Sequence, residues 1–134
     1  MSVKNHVVSL ETAKRMDELG GLKTKPIFVY WTSPDAPGGH YELVYTGEED
    51  FTHNEFCVPA YIATEIMEEL PGNIVVDEGD PENQCIYWLG INKLTDEYEV
   101  FYDHYDVTKQ SASHENLAEA LALLWCDLKE KGII

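Results

Sequence analysis

The stretch Ser113-His114-Glu115-Asn116-Leu117-Ala118-Glu119-Ala120-Leu121-Ala122-Leu123-Leu124-Trp125-Cys126-Asp127-Leu128-Lys129-Glu130-Lys131 decides the fold. Leu117, Leu121, Leu124 and Leu128 recur at steps of four, three and four residues, the spacing that places side chains on one side of an α-helix. Glu115, Glu119, Asp127 and Lys129 fall largely elsewhere on the wheel. Ser113 is positioned to cap the first amides, Glu115 to sit in the positive first turn, and Lys129 and Lys131 to face the negative end before Gly132 stops the helix. Such a stripe needs a sheet to lie on. Leu123 and Trp125 fall outside it and widen the apolar arc, so the helix is expected also to touch a neighbouring helix or a second subunit.

The counter-surface is the pair of segments Gln84 to Ile91 and Glu97 to Tyr105. Cys85, Tyr87, Leu89 and Ile91 share one face of the first, and Tyr98, Val100 and Tyr102 share one face of the second. Asn92 to Asp96 reads as their turn, and Val107 to Ala112 as a polar connection to the last helix. Further upstream, Pro59 at a first helical position starts a helix through Leu70, with Ile62, Ile66 and Leu70 on one side and Pro71-Gly72 closing it. Asn73 to Val76 is a short strand. Ile27 to Thr32 and His40 to Thr46 are strands joined across a Pro- and Gly-rich loop, as an antiparallel hairpin, and Phe51 to Val58 fits either a strand or a lead-in to the helix. The first helix, Ser9 to Leu19, is capped by Ser9 and ended by Gly20-Gly21, because glycine alone enters the left-handed C-cap conformation without steric cost. The expected order is αββαβββα in one domain over residues 1–134: an α+β fold with an antiparallel sheet of about five strands and its helices packed on one face.

Lys plus Arg total 9 against 25 Asp plus Glu, a formal net charge of −16, which repels nucleic-acid phosphates and anionic membranes. Nucleic acid and membrane are therefore excluded as partners. The same charge suits a basic protein partner or a chain kept apart from its copies by self-repulsion. Three widely spaced cysteines without a CxxC pair argue against a disulfide framework and for a reducing, cytoplasmic setting. No signal peptide or long apolar span stands out.

Two acidic segments could attract a hard cation: Glu48-Glu49-Asp50, and Asp77-Glu78-Gly79-Asp80-Pro81-Glu82 with its four carboxylates. Neither has the alternating ligands of a calcium loop, so both read as solvated turns that contribute to an acidic interaction surface through Glu48, Glu49, Asp50, Asp77, Glu78, Asp80 and Glu82. Cys57 with His53, or His104 beside Asp103, would be the groups of a small Cys/His or metal-dependent enzyme. Strand geometry sends Asp103 and His104 to opposite faces, and free cysteine is commonly a small core residue. No catalytic spacing occurs, and no cofactor is expected. Eight tyrosines and three tryptophans supply aromatic surface suited to protein contacts. Tyr30 and Trp31, adjacent in one strand, must point to opposite faces, so at least one is a candidate for an exposed contact residue.

Val8-Ser9-Leu10-Glu11-Thr12-Ala13-Lys14, Pro59-Ala60-Tyr61 followed by Leu70-Pro71, and Asn116-Leu117-Ala118-Glu119-Ala120-Leu121 with Trp125 and Gly132 carry a resemblance. The chain resembles a group of small acidic proteins of unknown function encoded by phages and mobile elements of gut Bacteroidetes-type bacteria. These motifs match helix starts and stops, cover a minority of the chain, and leave the acidic loops and the Pro34 to Gly39 loop outside the pattern. The resemblance implies a bacterial or phage cytoplasmic protein and transfers no activity and no site residue. The function expected is that of a non-enzymatic accessory protein acting through protein contacts, possible as a homo-oligomer. The alternatives are an acidic immunity or inhibitor protein that fills the cleft of a basic nuclease, and the small enzyme outlined above.

Overall fold

A computed structural model describes residues 3–33, 40–46, 56–77, 84–104 and 107–134. After a short 3-10 turn, Val3–Asn5, come helix α1 (Leu10–Glu18) and strands β1 (Phe28–Thr32), β2 (Tyr41–Tyr45) and β3 (Cys57–Pro59). Helix α2 (Ala63–Glu69), strands β4 (Asn73–Asp77), β5 (Gln84–Lys93), β6 (Tyr98–His104) and β7 (Val107–His114), and helix α3 (Leu117–Glu130) follow. The fold is α+β with three α-helices and two antiparallel sheets, ordered β2-β1-β3 and β4-β5-β6-β7.

The expected αββαβββα order and single five-stranded sheet are corrected in two places. Cys57-Val58-Pro59 is strand β3, paired with β1, so Pro59 ends a strand and does not open α2. Proline lacks a donor, and β3 lies at the edge of its sheet, where that loss is tolerated. The chain stays extended to Ile62, which bridges to Val7, and helix α2 begins only at Ala63. Likewise, Val107–His114 is strand β7, not a polar connection. Only one side of it meets the core, through Ala112, so its Thr- and Ser-rich remainder showed no apolar alternation. Ser113 therefore belongs to β7, and α3 is capped by Asn116, whose side-chain oxygen accepts from the amides of Ala118 and Glu119 at 3.0 and 3.4 Å.

Other local expectations hold. The Ser9 hydroxyl accepts from the Thr12 amide at 3.2 Å and caps α1, and Gly20 and Gly21 take φ of 103° and 66° at its end. Strands β5 and β6 pair in the register Leu89 to Tyr102 and Ile91 to Val100. Tyr87, Val100 and Tyr102 lie buried on the inner face with Leu121, Leu124 and Leu128 of α3, all in one core cluster. Helix α3 packs on β6 and β7 and also against α1 and α2, so the widened arc is occupied within the chain: Trp125 is buried, Leu117 and Leu123 half-buried. Tyr102 donates to the Pro71 carbonyl at 2.6 Å, and burial pushes its phenol up to about 12.

Candidate functional site

A cleft of about 900 Å³ runs between the start of α1 and the start of α3, with Lys4, Ser9, Arg15, His114, Asn116 and Glu119 on its walls. At its floor the buried Glu119 carboxylate accepts from the Ser9 amide at 2.7 Å, from the Ser9 hydroxyl at 3.0 Å and from the Thr12 hydroxyl. Asn116 adds a donor bond to the Val7 carbonyl at 2.8 Å. Each of these groups joins the segment before α1 to the N-terminus of α3. Glu119 thus supplies a negative charge to the positive end of α1 from a different helix, a structural use that occupies both of its oxygens. Arg15, on the same wall, is held by Glu130 at 2.9 Å and Asp127 at 3.2 Å, and the Glu130 hydrogen bond raises its pKa further.

Carboxylates of α2 do the same for the chain between α1 and β1. Glu69 accepts from the amides of Lys23 and Thr24 at 2.7 and 2.8 Å. Glu65 accepts from the amides of Ile62 and Ile27 at 2.9 and 3.1 Å. Burial raises the pKa of Glu65, against the lowering effect of those two amides. All three carboxylates are staples, and nothing in helical periodicity tells a carboxylate that hydrogen-bonds a distant amide from one that faces water.

Among the described residues, the enzyme candidates Cys57 and His104 lie on different sheets. Cys57 sits in β3 opposite Trp31, half-buried, and burial pushes its thiol up, the reverse of an activated nucleophile. His53 lies outside the described residues. His104 contacts the Ile86 carbonyl through Nδ1 at 3.0 Å and packs on Tyr87 with ring centroids 5.9 Å apart, while Asp103 lies on the other face of β6. Cys126 is fully buried, its thiol pushed up to about 11 by that burial. Among the described residues no three His, Cys, Asp or Glu side chains group as metal ligands.

Of the surface candidates, Tyr30 turns inward and donates from its hydroxyl to the Val8 carbonyl at 2.6 Å, whereas Trp31 is 38% exposed beside Glu42 and Cys57. Asp77 closes strand β4 opposite Gln84 instead of opening a loop. Glu48, Glu49, Asp50, Glu78, Asp80 and Glu82 lie outside the described residues.

Exposed apolar side chains gather on the outer face of the four-stranded sheet. Val75 of β4 stands opposite Ile86 of β5, and Trp88 stands between Asn73 on one side and Asp103 on the other. Trp88 is 58% exposed, Val75 54% and Ile86 42%. Next along, Phe101 covers Gly90: a Cβ at Gly90 would meet the ring at 2.5 Å, so the glycine makes room for the aromatic side chain across the strand pair. Sequence reading missed this face, although its signal was present. Strand β5 is apolar at Ile86 and Trp88 as well as at the inward Tyr87 and Leu89, more than a one-sided sheet needs.

Fold and surface thus define a small α+β structure with helix α3 on one face of the four-stranded sheet and, among the described residues, exposed Val75, Ile86 and Trp88 on the other. The chain matches no family model, and no curated protein or solved structure is significantly similar to it. No helix among the described residues is long and apolar enough to cross a membrane.

Proposed function

We propose that this chain is a binding protein and not a catalyst: a cytoplasmic accessory protein of phage or prophage type that docks a basic protein partner on the outer face of the four-stranded sheet. The observation that carries this reading is the group of Val75, Ile86 and Trp88, exposed on one face of adjacent strands, with Val75 directly opposite Ile86 and Trp88 two residues along β5. Contiguous apolar surface mixed with polar groups marks interaction sites, and tryptophan is enriched among the few residues that dominate binding energy. The net charge of −16 gives the partner its sign and would speed its encounter.

The test is affinity capture from cells that naturally express the chain, with the wild type and Trp88→Ala side by side. A basic protein retained by the wild type, lost with Trp88→Ala and weakened by added salt is the expected result. Identical retention by both would refute the proposed face.

A further inference from the structure

We infer that the outer face of β4 and β5 receives an arginine side chain of its partner, with the guanidinium lying on the Trp88 indole and paired edge-on with Asp103. The inference deepens the docking reading above and rests on it. Trp88 and Asp103 are directly opposed across β5 and β6, a position in which antiparallel neighbours have Cβ atoms about 5 Å apart. A planar cation can therefore stack on the ring and still reach the carboxylate. Arginine fits this pair better than lysine, because its guanidinium offers a flat face to the indole and N–H donors along its edge, whereas an ammonium is a single point charge. Asn73, exposed and opposed to Trp88 on the other side, adds an amide acceptor. Val75 and Ile86 offer an apolar wall for the methylene stem.

Several of the chain's own cations are engaged elsewhere. Lys14 lies over Tyr41 at 4.7 Å, Lys93 over Tyr98 at 5.8 Å and Lys129 over Trp125 at 5.8 Å, while Arg15 is tied to Glu130 and Asp127. Trp88 itself stands 58% exposed. Glu99 and Asp103, on the outer face of β6, are both acidic. A second copy would bring the same two carboxylates and another net −16 to the interface, so charge complementarity favours a basic partner over self-association.

The test uses the whole 15N-labelled protein and three capped pentapeptides, Gly-Leu-X-Leu-Gly, with arginine, lysine or the uncharged citrulline at X. The readout is the indole N–H resonance of Trp88, assigned by its loss in Trp88→Phe. The arginine peptide is expected to move it with about fivefold tighter binding than the lysine peptide, and citrulline to leave it unmoved. Asp103→Asn, whose spectrum should otherwise match the wild type, is expected to erase the preference for arginine. Equal binding of arginine and lysine, or a preference that survives Asp103→Asn, would overturn the arginine assignment and leave the docking face standing. Absence of any shift with all three peptides would also overturn it; the docking face itself falls only if Trp88→Ala retains the captured partner.

Discussion

Glu119 of α3 accepts hydrogen bonds from both the amide and the hydroxyl of Ser9, 110 residues away in the chain, at 2.7 and 3.0 Å. One carboxylate thereby caps the first helix from the last one and closes the structure between its two ends. Removing it strands the Ser9 amide and the Thr12 hydroxyl in a largely buried place. Glu119→Ala is expected to cost about 3 kcal/mol in urea unfolding, because bonds to a charged acceptor are lost along with the burial they compensated. Ser9→Ala, which removes the local cap while leaving the Ser9 amide paired, should cost about 1 kcal/mol. Near-equal midpoints for wild type and Glu119→Ala would mean the bond is incidental.

The leucine stripe makes a graded prediction. Leu121 is fully buried and Leu123 half-buried on the same helix. Leu121→Ala should destabilise by about 2–5 kcal/mol through lost transfer energy and a residual cavity. Leu123→Ala should cost about 1 kcal/mol or less. Leu121→Asp should leave the chain unfolded, since it buries an unpaired charge. A folded Leu121→Asp variant by circular dichroism would place the wrong face of α3 in the core.

Glu65 predicts the direction of a pH effect. Burial raises its folded-state pKa above the ordinary 4.5, so in the window just above that value the folded chain binds more protons than the unfolded one. Stability then falls as pH rises through the window. Compared with Glu65→Gln, which cannot titrate, the wild type should lose stability between pH 4 and pH 7. Urea midpoints of the two proteins at both pH values check this, and a wild type that gains relative to the variant would contradict it.

Thiol chemistry separates the cysteines. Cys126 is fully buried with its thiol pushed up to about 11, whereas Cys57 and Cys85 are half-buried. A disulfide reagent at pH 8 should label Cys126 only on unfolding, with Cys57 and Cys85 reacting earlier. Three equal rates in the native protein would contradict the packing of α3.

Much of this architecture is legible in the residues, and the parts that are not share physical causes. Ser9, Gly20-Gly21 and the leucine stripe act locally, within one or two turns of chain, and the β5 and β6 alternation repeats often enough to be read. Strand β7 is hidden because an edge strand with one wet side needs few apolar residues, and β3 because Pro59 signals a helix start as well as a strand edge. The division into two sheets depends on which strands pair, and the sheets meet different helices: the four-stranded sheet packs on α3 through β6 and β7, the three-stranded sheet on α1 through β3. At the candidate surface the inward half of β5 was recognised by period, but the same period makes Ile86 and Trp88 the outward half, and their apolar character is the mark of a contact face. The staples made by Glu65, Glu69 and Glu119 join residues distant in sequence and carry no local pattern.

The most direct test of the docking face places a photoreactive amino acid at Ile86, and separately at Leu94, which is exposed in the turn between β5 and β6. Irradiation in cells that naturally express the chain should crosslink a basic protein from position 86 and not from position 94, and the crosslink should vanish when Trp88→Ala is added. Crosslinking to the same proteins from both positions, or crosslinking at position 86 that persists without Trp88, would contradict the account.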